Sequence, residues 1–386
     1  MRIMWLGPHP DLPTGYAGQA RTWVSYLAAA GHDVAVLALA GQMSHMGAWK
    51  TLPVLGAEPR IIPVYPSTPY EANAQDVLAT HAEDFAADLV ISLTCTWVLK
   101  PPAWRDLRAV MITPVDVAGL RGHPGMSRQD YEVIIESGAT PAAVCRWGET
   151  QMRSRGLEPL YLPHGVDTGV FRPLEDRKKI RQVKGLTHRF VAGVNAMNHE
   201  RDRKNLPEVF QAFRLLLDSH PDSMLALHAL AYTPEGLNLM LMAAECDISD
   251  RILWSDQGQL ASGTASPEAV ADWAASCDVI IQAGNEGFGL PTVEAMACGT
   301  PVIAGDWGPH RELTAGTGWL VEGQPKWNNW HGKWWRTPHI DALAAALAEA
   351  YDTASDRREA ARKASLSWDA ERVWEDHWEP VIKDLE

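Results

Sequence analysis

The order in which short apolar runs and helical patterns alternate is the strongest constraint on this chain. "RIMWL" (2–6) is a brief apolar run ended by Gly7-Pro8. "AGQARTWVSYLAAAGH" (17–32) follows with helical spacing, stops at Gly31, and gives way to a second apolar run, "DVAVLAL" (33–39). A short run without polar alternation suits a strand covered on both faces. Strand, loop, helix and strand in that order make a βαβ unit with a parallel sheet. Further buried strands are predicted at 88–93, 109–113, 142–145 and 160–162. A second series opens at "RFVAGVNA" (189–196), with strands at 223–230, 251–255, 278–283 and 301–305 and helices at 205–221, around 235–245 and at 267–276.

Two such series in 386 residues predict two domains, because a single core stops growing before that length. With 46% hydrophobic and 21% charged residues the chain can build both cores. The expected division is an N-terminal Rossmann-like domain at 1–172 and a C-terminal one at 185–365. The turn-rich, then charged stretch "PHGVDTGVFRPLEDRKKIRQVKG" (163–185) is expected to connect them, and a C-terminal helix at about 366–386 to pack back on the first. The fold class is α/β: two doubly wound Rossmann-like domains facing a central cleft. In such sheets ligands bind outside the carboxyl ends of the strands.

A net charge of −14 argues against a protein that coats nucleic acid, although it leaves room for a local basic groove. The five cysteines are scattered without a CxxC pair, which argues against a disulfide framework or a zinc site and fits a reducing cytoplasm. "MRIMWLGPHPDLPTG" turns polar too soon for a signal peptide, and "DLVISLTCTWVL" (88–99) is too short to span a bilayer. A cytoplasmic protein with no stable membrane span is expected. There is no D-x-D or HExxH, and the histidines show no ligand spacing; His310 and His331 read as surface or core residues. Neither a metal nor a resident cofactor is expected.

"NEGFGLPTVEAMACGTP" (285–301) carries the chemistry. A strand ends at Ala283, "GNEGFG" is a loop, and "LPTVEAMACG" is a helix with Pro291 in its first turn and Gly299 at its end. A glycine-rich loop feeding a helix N-terminus presents backbone N–H groups and the positive end of a dipole, which suits an anion such as a diphosphate. Gly287 and Gly289 let a ligand approach the backbone. Glu294 would lie beside the anion and accept from hydroxyls, and Glu286 would stand at the loop tip over whatever the phosphate carries. Two carboxylates beside an anion cradle suit a nucleotide sugar. The plainer readings are a dipole-complementing glutamate at 294 and a solvated one at 286.

"EGFGLPTVEAMACGTPVIA" resembles the E-x7-E signature of the retaining family-4 glycosyltransferases, which have the GT-B fold. "LPHGVDTGVFRP" (162–173) is similar to that family's interdomain connection, and "PTGYAGQARTWVSYLAAAGHDVAVL" to its first loop, helix and strand. The resemblance implies a metal-independent hexosyl transfer from a nucleotide diphosphate sugar, UDP favoured over GDP, to a hydroxyl acceptor. It implies that Glu294 binds ribose hydroxyls and that Glu286 contacts the donor sugar and holds charge at the reacting carbon. The N–H groups around Gly287, Phe288, Gly289, Leu290 and Thr292 would cradle the diphosphate. The family neutralises the leaving group with an arginine and a lysine. Here "GVNAMNHERDRKNLPEVFQAF" departs from its usual spacing, with Asn195 near the expected arginine position, so the adjacent Arg203 and Lys204 take those roles. Gly15 and Gly18 of "PTGYAG" would approach the donor or acceptor. Some members of that family add a first-domain aspartate or histidine near the acceptor as a catalytic base: Asp116, after a buried strand, is the catalytic candidate and His123 the acceptor-side one. A nucleotide-sugar epimerase and a non-catalytic sugar-nucleotide binder are the competing classes.

"KWNNWHGKWWR" (326–336) looks inserted relative to that family and interleaves Trp327, Trp330, Trp334 and Trp335 with Lys326, Lys333 and Arg336. Aromatic faces among cations stack bases or sugar rings, or pack under a loop. Trp330 and Trp334 are the acceptor candidates. The stretch 172–204 is also basic, with ten Lys/Arg against four acids. A glycan or glycolipid acceptor is expected; the alternative is DNA carrying 5-hydroxymethylpyrimidines.

Overall fold

The computed structural model describes residues 1–39, 47–116, 125–200, 203–329 and 331–386. The chain forms two compact units: Met1–Val115 with Pro124–Gly165 and Ala370–Glu386, and Asp116–His123 with Val166–Asp369. His123 and Trp330 lie outside the described residues.

The first unit is built on β1 (Arg2–Pro8), β2 (Asp33–Leu39), β3 (Gly47–Lys50), β4 (Ile61–Pro66), β5 (Leu89–Leu93), β6 (Ala109–Ile112), β7 (Thr140–Ala143) and β8 (Leu160–Tyr161). Their order is β3-β4-β2-β1-β5-β6-β7-β8, parallel throughout except that β3 runs antiparallel to β4. Ile3 to Leu6 of β1 are wholly buried, which is why that strand reads as an unbroken apolar run. The first helix spans Gly15–Ala29 rather than opening at 17 or 18. Thr14 caps it, its Oγ1 accepting from the Ala17 N–H at 3.2 Å.

The C-terminal stretch is not one helix. It runs through a 3₁₀ turn (Leu366–Trp368), a short helix (Ala370–Val373), a π-turn (Trp374–Trp378) and a last helix (Glu379–Asp384). Within the first unit, Trp378 stacks on Trp23 at 4.5 Å and on Trp5 at 6.2 Å, and its Nε1 donates to Pro163 O at 2.8 Å. These rings bind residues 370–386 to β1 and the first helix through buried aromatic area.

In the second unit, β9 (Val191–Asn195), β10 (Met224–His228), β11 (Ile252–Trp254), β12 (Val279–Gln282), β13 (Val302–Gly305) and β14 (Trp319–Val321) form an all-parallel sheet in the order β11-β10-β9-β12-β13-β14. The order reverses between β9 and β12, so their carboxyl ends flank a topological switch point. β15 (Gly323–Asn328) and β16 (Lys333–Pro338) form a separate antiparallel hairpin. The helices Leu206–Ser219 and Ile340–Ser365 cover one face of the sheet, with Phe210, Phe213, Leu343 and Leu347 fully buried.

The stretch 163–185 divides between the units at Gly165 and contains a helix, Arg177–Val183. Arg181 is buried and donates to the carbonyls of Ser276, Leu186 and Arg189 at 2.6, 2.9 and 2.5 Å. Arg177 pairs with Asp278 at 2.6 Å, and Asp278 also accepts from the Val191 N–H at 2.8 Å. These cations therefore tie together the amino ends of β9 and β12.

Candidate functional site

The site lies at the opposite, carboxyl ends of β9 and β12, where two asparagines lace three segments together. Asn285 is buried; its N–H donates to Arg203 O at 2.8 Å, and its side chain exchanges bonds with the backbone of Arg336 in β16 at 2.8 and 2.9 Å. Asn205 precedes the helix Leu206–Ser219 with φ +50°, and its Nδ2 donates to Ala283 O at 2.7 Å and Arg336 O at 2.9 Å. Asparagine tolerates that left-handed geometry better than most residues. Gly284 is closely packed: a Cβ there would lie 3.1 Å from Arg203 O and 3.2 Å from the Glu286 carboxylate, so a side chain would push on both.

On this frame Glu286 turns inward instead of standing at a solvated tip, and is 8% exposed. Lys204 Nζ contacts its Oε1, and Arg203 Nη1 lies 3.3 Å from its Oε2 and 3.3 Å from Asn285 O. Burial pushes the Glu286 carboxyl up, but Lys204, Arg203 and His310 together outweigh it and bring it down to about 2. Burial, and then the neighbouring Arg203, push the Lys204 ammonium down, while Glu286 and Glu200 oppose them. His310 is wholly buried beneath the loop, its Nε2 at 3.4 Å from Gly284 O, and burial lowers its basicity. Trp307 Nε1 donates to the same carbonyl at 3.1 Å.

Gly289 heads the helix Leu290–Ala297 with φ +100°, and no side chain caps that helix. Thr292 Oγ1 is buried there with no hydrogen-bond partner among the described residues. Phe288 is buried edge-on against Trp368 at 5.3 Å and anchors the loop. Glu294 follows, half-buried, with no hydrogen-bond or ion partner for its carboxylate among the described residues; burial alone pushes it up to about 7. The first carboxylate of the motif is thus compensated and the second is not.

The tryptophan-rich segment splits by strand periodicity. Trp335 faces inward and is 2% exposed, with the His331 ring at 5.1 Å. Trp327 and Trp334 pair across the strands on the other face, 47% and 37% exposed, with ring centroids 5.3 Å apart. Lys333 is buried, and its Nζ lies 3.5 Å from Asp116 Oδ1, so the acid read as an acceptor-side candidate is an ion-pair partner of the hairpin. In the first unit, Gly15 and Gly18 lie in the first turn of Gly15–Ala29, and a Cβ on Gly18 would meet nothing within 4 Å. Among the described residues no three His, Cys, Asp or Glu side chains are grouped to hold a metal ion, and no helix is long and apolar enough to cross a membrane.

Residues 176–366 match the family model described as "Glycosyl transferases group 1". This segment is similar to group 1 glycosyltransferases. Among curated proteins, the lipopolysaccharide core biosynthesis mannosyltransferase LpsB of Rhizobium meliloti is 28% identical over 206 residues, 52% of this chain and 53% of that protein. D-inositol 3-phosphate glycosyltransferase of Paenarthrobacter aurescens is 30% identical over 213 residues, 53% of this chain and 45% of that protein. The chain spans about half the length of these relatives. Among solved structures, sucrose-phosphate synthase from Thermosynechococcus elongatus superposes with a TM-score of 0.75 at 16% identity, covering 100% of this chain and 99% of that one. HepE from Anabaena, solved with UDP-glucose, gives 0.69 at 18% identity, covering 99% and 100%. The fold is accordingly GT-B, an α/β architecture of two domains.

The matched segment contains the whole cluster from Arg203 to Arg336. Sequence reasoning missed Asn205, Asn285, Trp307 and Glu200 in it. Only Asn205 carried a local signal, an asparagine immediately before a helical pattern.

Proposed function

We propose that the chain is a retaining, metal-independent glycosyltransferase that moves a hexose from a nucleoside diphosphate sugar to a hydroxyl of a glycan or glycolipid. The observation that carries this reading is the buried Glu286–Lys204–Arg203 cluster at the switch point, next to a helix start without a side-chain cap and a Glu294 without a partner among the described residues. Lys204 and Arg203 neutralise the diphosphate as it leaves; fixed cations aimed at developing charge are the largest single source of such catalysis. The backbone from Gly287 to Thr292, with Leu290 leading the helix, cradles the phosphates. Glu294 accepts from the ribose hydroxyls, which supply the partners its carboxylate lacks. Glu286, kept ionised, accepts from donor-sugar hydroxyls and stabilises positive charge at the reacting carbon. The acceptor oxygen attacks on the face from which the diphosphate departs, and a phosphate oxygen takes its proton. Asp116 is the catalytic residue on the acceptor side, Gly15 and Gly18 approach the donor diphosphate, His123, Trp330 and Trp334 meet the acceptor, and the chain works in the cytoplasm.

The relatives support the sugar-nucleotide class by name but point to both bases. HepE was solved with UDP-glucose, and a Mycolicibacterium smegmatis relative, 33% identical over 168 residues, is named a GDP-mannose-dependent mannosyltransferase. We favour a UDP-sugar. The exposed Trp327–Trp334 pair supports the second reading, transfer to hydroxymethylated DNA. Engagement of Arg177 and Arg181 in the domain interior removes part of the basic stretch on which that reading drew.

The test is to incubate the protein with UDP-glucose, UDP-galactose and GDP-mannose, with and without EDTA. Nucleotide release is followed, and the sugar product is assigned by NMR. Retained anomeric configuration and insensitivity to EDTA are expected. An inverted product would overturn retention, EDTA sensitivity would overturn metal independence, and a 2-epimer would point to an epimerase. Binding without turnover of any donor would leave a sugar-nucleotide binder. Preferential transfer to hydroxymethylated DNA over lipid-linked glycans would favour the second reading.

A further inference from the structure

Arg203 stands just ahead of the helix Leu206–Ser219, outside the strand-end position that Asn195 occupies. An arginine has a long side chain with several free rotors, and ordering it costs up to about 2 kcal/mol. A guanidinium that must meet a leaving group therefore needs a second hold. The structure supplies one. Arg203 Nε lies 2.5 Å from Glu200 Oε2, while its Nη1 faces Asn285 O and Glu286 at 3.3 Å. Glu200 is in turn approached by His331 Nε2, 3.6 Å from Oε1. His331 sits between β15 and β16, packed on the buried Trp335, and its N–H donates to Asn328 Oδ1 at 2.8 Å. The chain of contacts runs without a gap from the inserted hairpin through His331, Glu200 and Arg203 to Glu286 and Lys204. The same hairpin is bound to the loop by the Arg336 backbone through both asparagines.

We infer that Glu200 is a positioning residue for the transfer reaction: it orients the Arg203 guanidinium toward the leaving diphosphate, and the hairpin holds Glu200 through His331. This rests on the reading of Arg203 as a leaving-group cation. The physical reason is twofold. The carboxylate lies against the Nε edge of the guanidinium as an ion pair, and that attraction biases the remaining donors toward the Glu286 side of the loop. It also balances the charge of two adjacent cations, one of them the buried Lys204, when no ligand is bound. Glu200 thus adds negative charge next to an anion site, which opposes ground-state binding of a diphosphate. Its contribution lies in placing a donor where charge develops, and misplacement of a reacting group by about 1 Å costs on the order of 100-fold in rate.

The test is Glu200→Gln, alone and combined with Arg203→Ala, with donor hydrolysis and isothermal titration of UDP and GDP as readouts. Glu200→Gln is expected to lower kcat by about tenfold to a hundredfold while nucleoside diphosphate affinity stays level or rises. In the Arg203→Ala background it is expected to lower kcat by less than about twofold, because the group it positions is gone. His331→Ala is expected to move kcat the same way by a smaller factor. A Glu200→Gln enzyme with wild-type kcat, or one that loses kcat and nucleotide affinity equally with a lower Tm, overturns the inference. So does a full, independent effect of Glu200→Gln in the Arg203→Ala background. Absence of turnover in the unmodified protein would sink the transferase reading itself and this inference with it, whereas failure in the variants alone sinks only the positioning role.

Discussion

The two ends of the second sheet hold similar charges in opposite ways. At the amino ends of β9 and β12, Arg177 and Arg181 meet Asp278 and a set of backbone carbonyls, and Asp278 also accepts from Val191. Arg358 adds bonds to Cys277 O at 3.1 Å and Ala275 O at 3.3 Å, and burial brings its own basicity down to about 10. At the carboxyl ends, Lys204 and Arg203 converge on Glu286, but Thr292 Oγ1 has no partner, and neither does the Glu294 carboxylate among the described residues. Thr292 and Glu294 stand at the switch point, where sheets of this kind bind their ligands. The difference teaches that a basic composition along 172–204 said little until each cation had been placed.

The largest expected effect is at the structural end. Arg181→Ala strips donors from three carbonyls and leaves Asp278 with Arg177 as its one ion-paired cation among the described residues, and is expected to cost about 3 kcal/mol, read as a loss of denaturant midpoint. Donor turnover per folded molecule should be unchanged. A variant that keeps its stability and loses turnover would break the division between the two ends.

At the other end, Lys204→Ala is expected to cut turnover by roughly 10²–10³-fold, because it removes one fixed donor from developing charge. Near-normal turnover would mean that Lys204 merely neutralises Glu286.

Glu294→Gln sharpens the comparison through pH. The folded carboxyl titrates near 7 against an ordinary value of 4.5, so the folded state holds more protons between those values. Stability therefore falls as pH rises from 4.5 to about 7, and the penalty is fully present above that. The glutamine variant should match the native protein below pH 4.5 and exceed it by about 1–2 kcal/mol at pH 8, less than full burial would give because the side chain is part-exposed. It should also bind nucleotide more weakly. A flat stability difference across that range would mean the carboxyl has a partner in solution.

The smallest effect is expected on the hairpin's outer face. Trp334→Ala should change stability by less than about 1 kcal/mol, the range of a cross-strand pair. It should lower acceptor transfer while leaving donor hydrolysis intact. Trp335→Ala, fully buried, should instead lower Tm and both activities together.

Much of the frame was legible because it is local. The strands 33–39 and 278–283 and the loop–helix 284–299 announce themselves by unbroken apolar runs and by glycines where a turn needs them, and they fall within a residue or two of the observed elements. β4 was not legible: "IIPVYP" holds two prolines, a pattern that argues against a strand, yet it pairs on both sides with β2 and β3. The hairpin was read by composition rather than as strands, although Gly332 supplies the left-handed turn between them and the aromatics suit a pleated surface. In the C-terminal segment the π-turn and the Trp378 stack are made by partners more than a hundred residues away in sequence, Trp5 and Trp23.

By itself the sequence determined the alternation of strands and helices, the doubly wound class and the strand–loop–helix that bears Glu286 and Glu294. Each of these follows from side-chain periodicity and backbone freedom within a dozen residues or so. Only the tertiary structure decided that Glu286 turns inward onto Lys204 and Arg203, that Arg177 and Arg181 serve the far end of the sheet, and that the β15–β16 hairpin closes on the loop through Asn205, Asn285 and the His331–Glu200 contact. A charge on a chain specifies that it needs a partner; which partner it meets depends on strand order and register, which bring together residues separated by eighty or more positions.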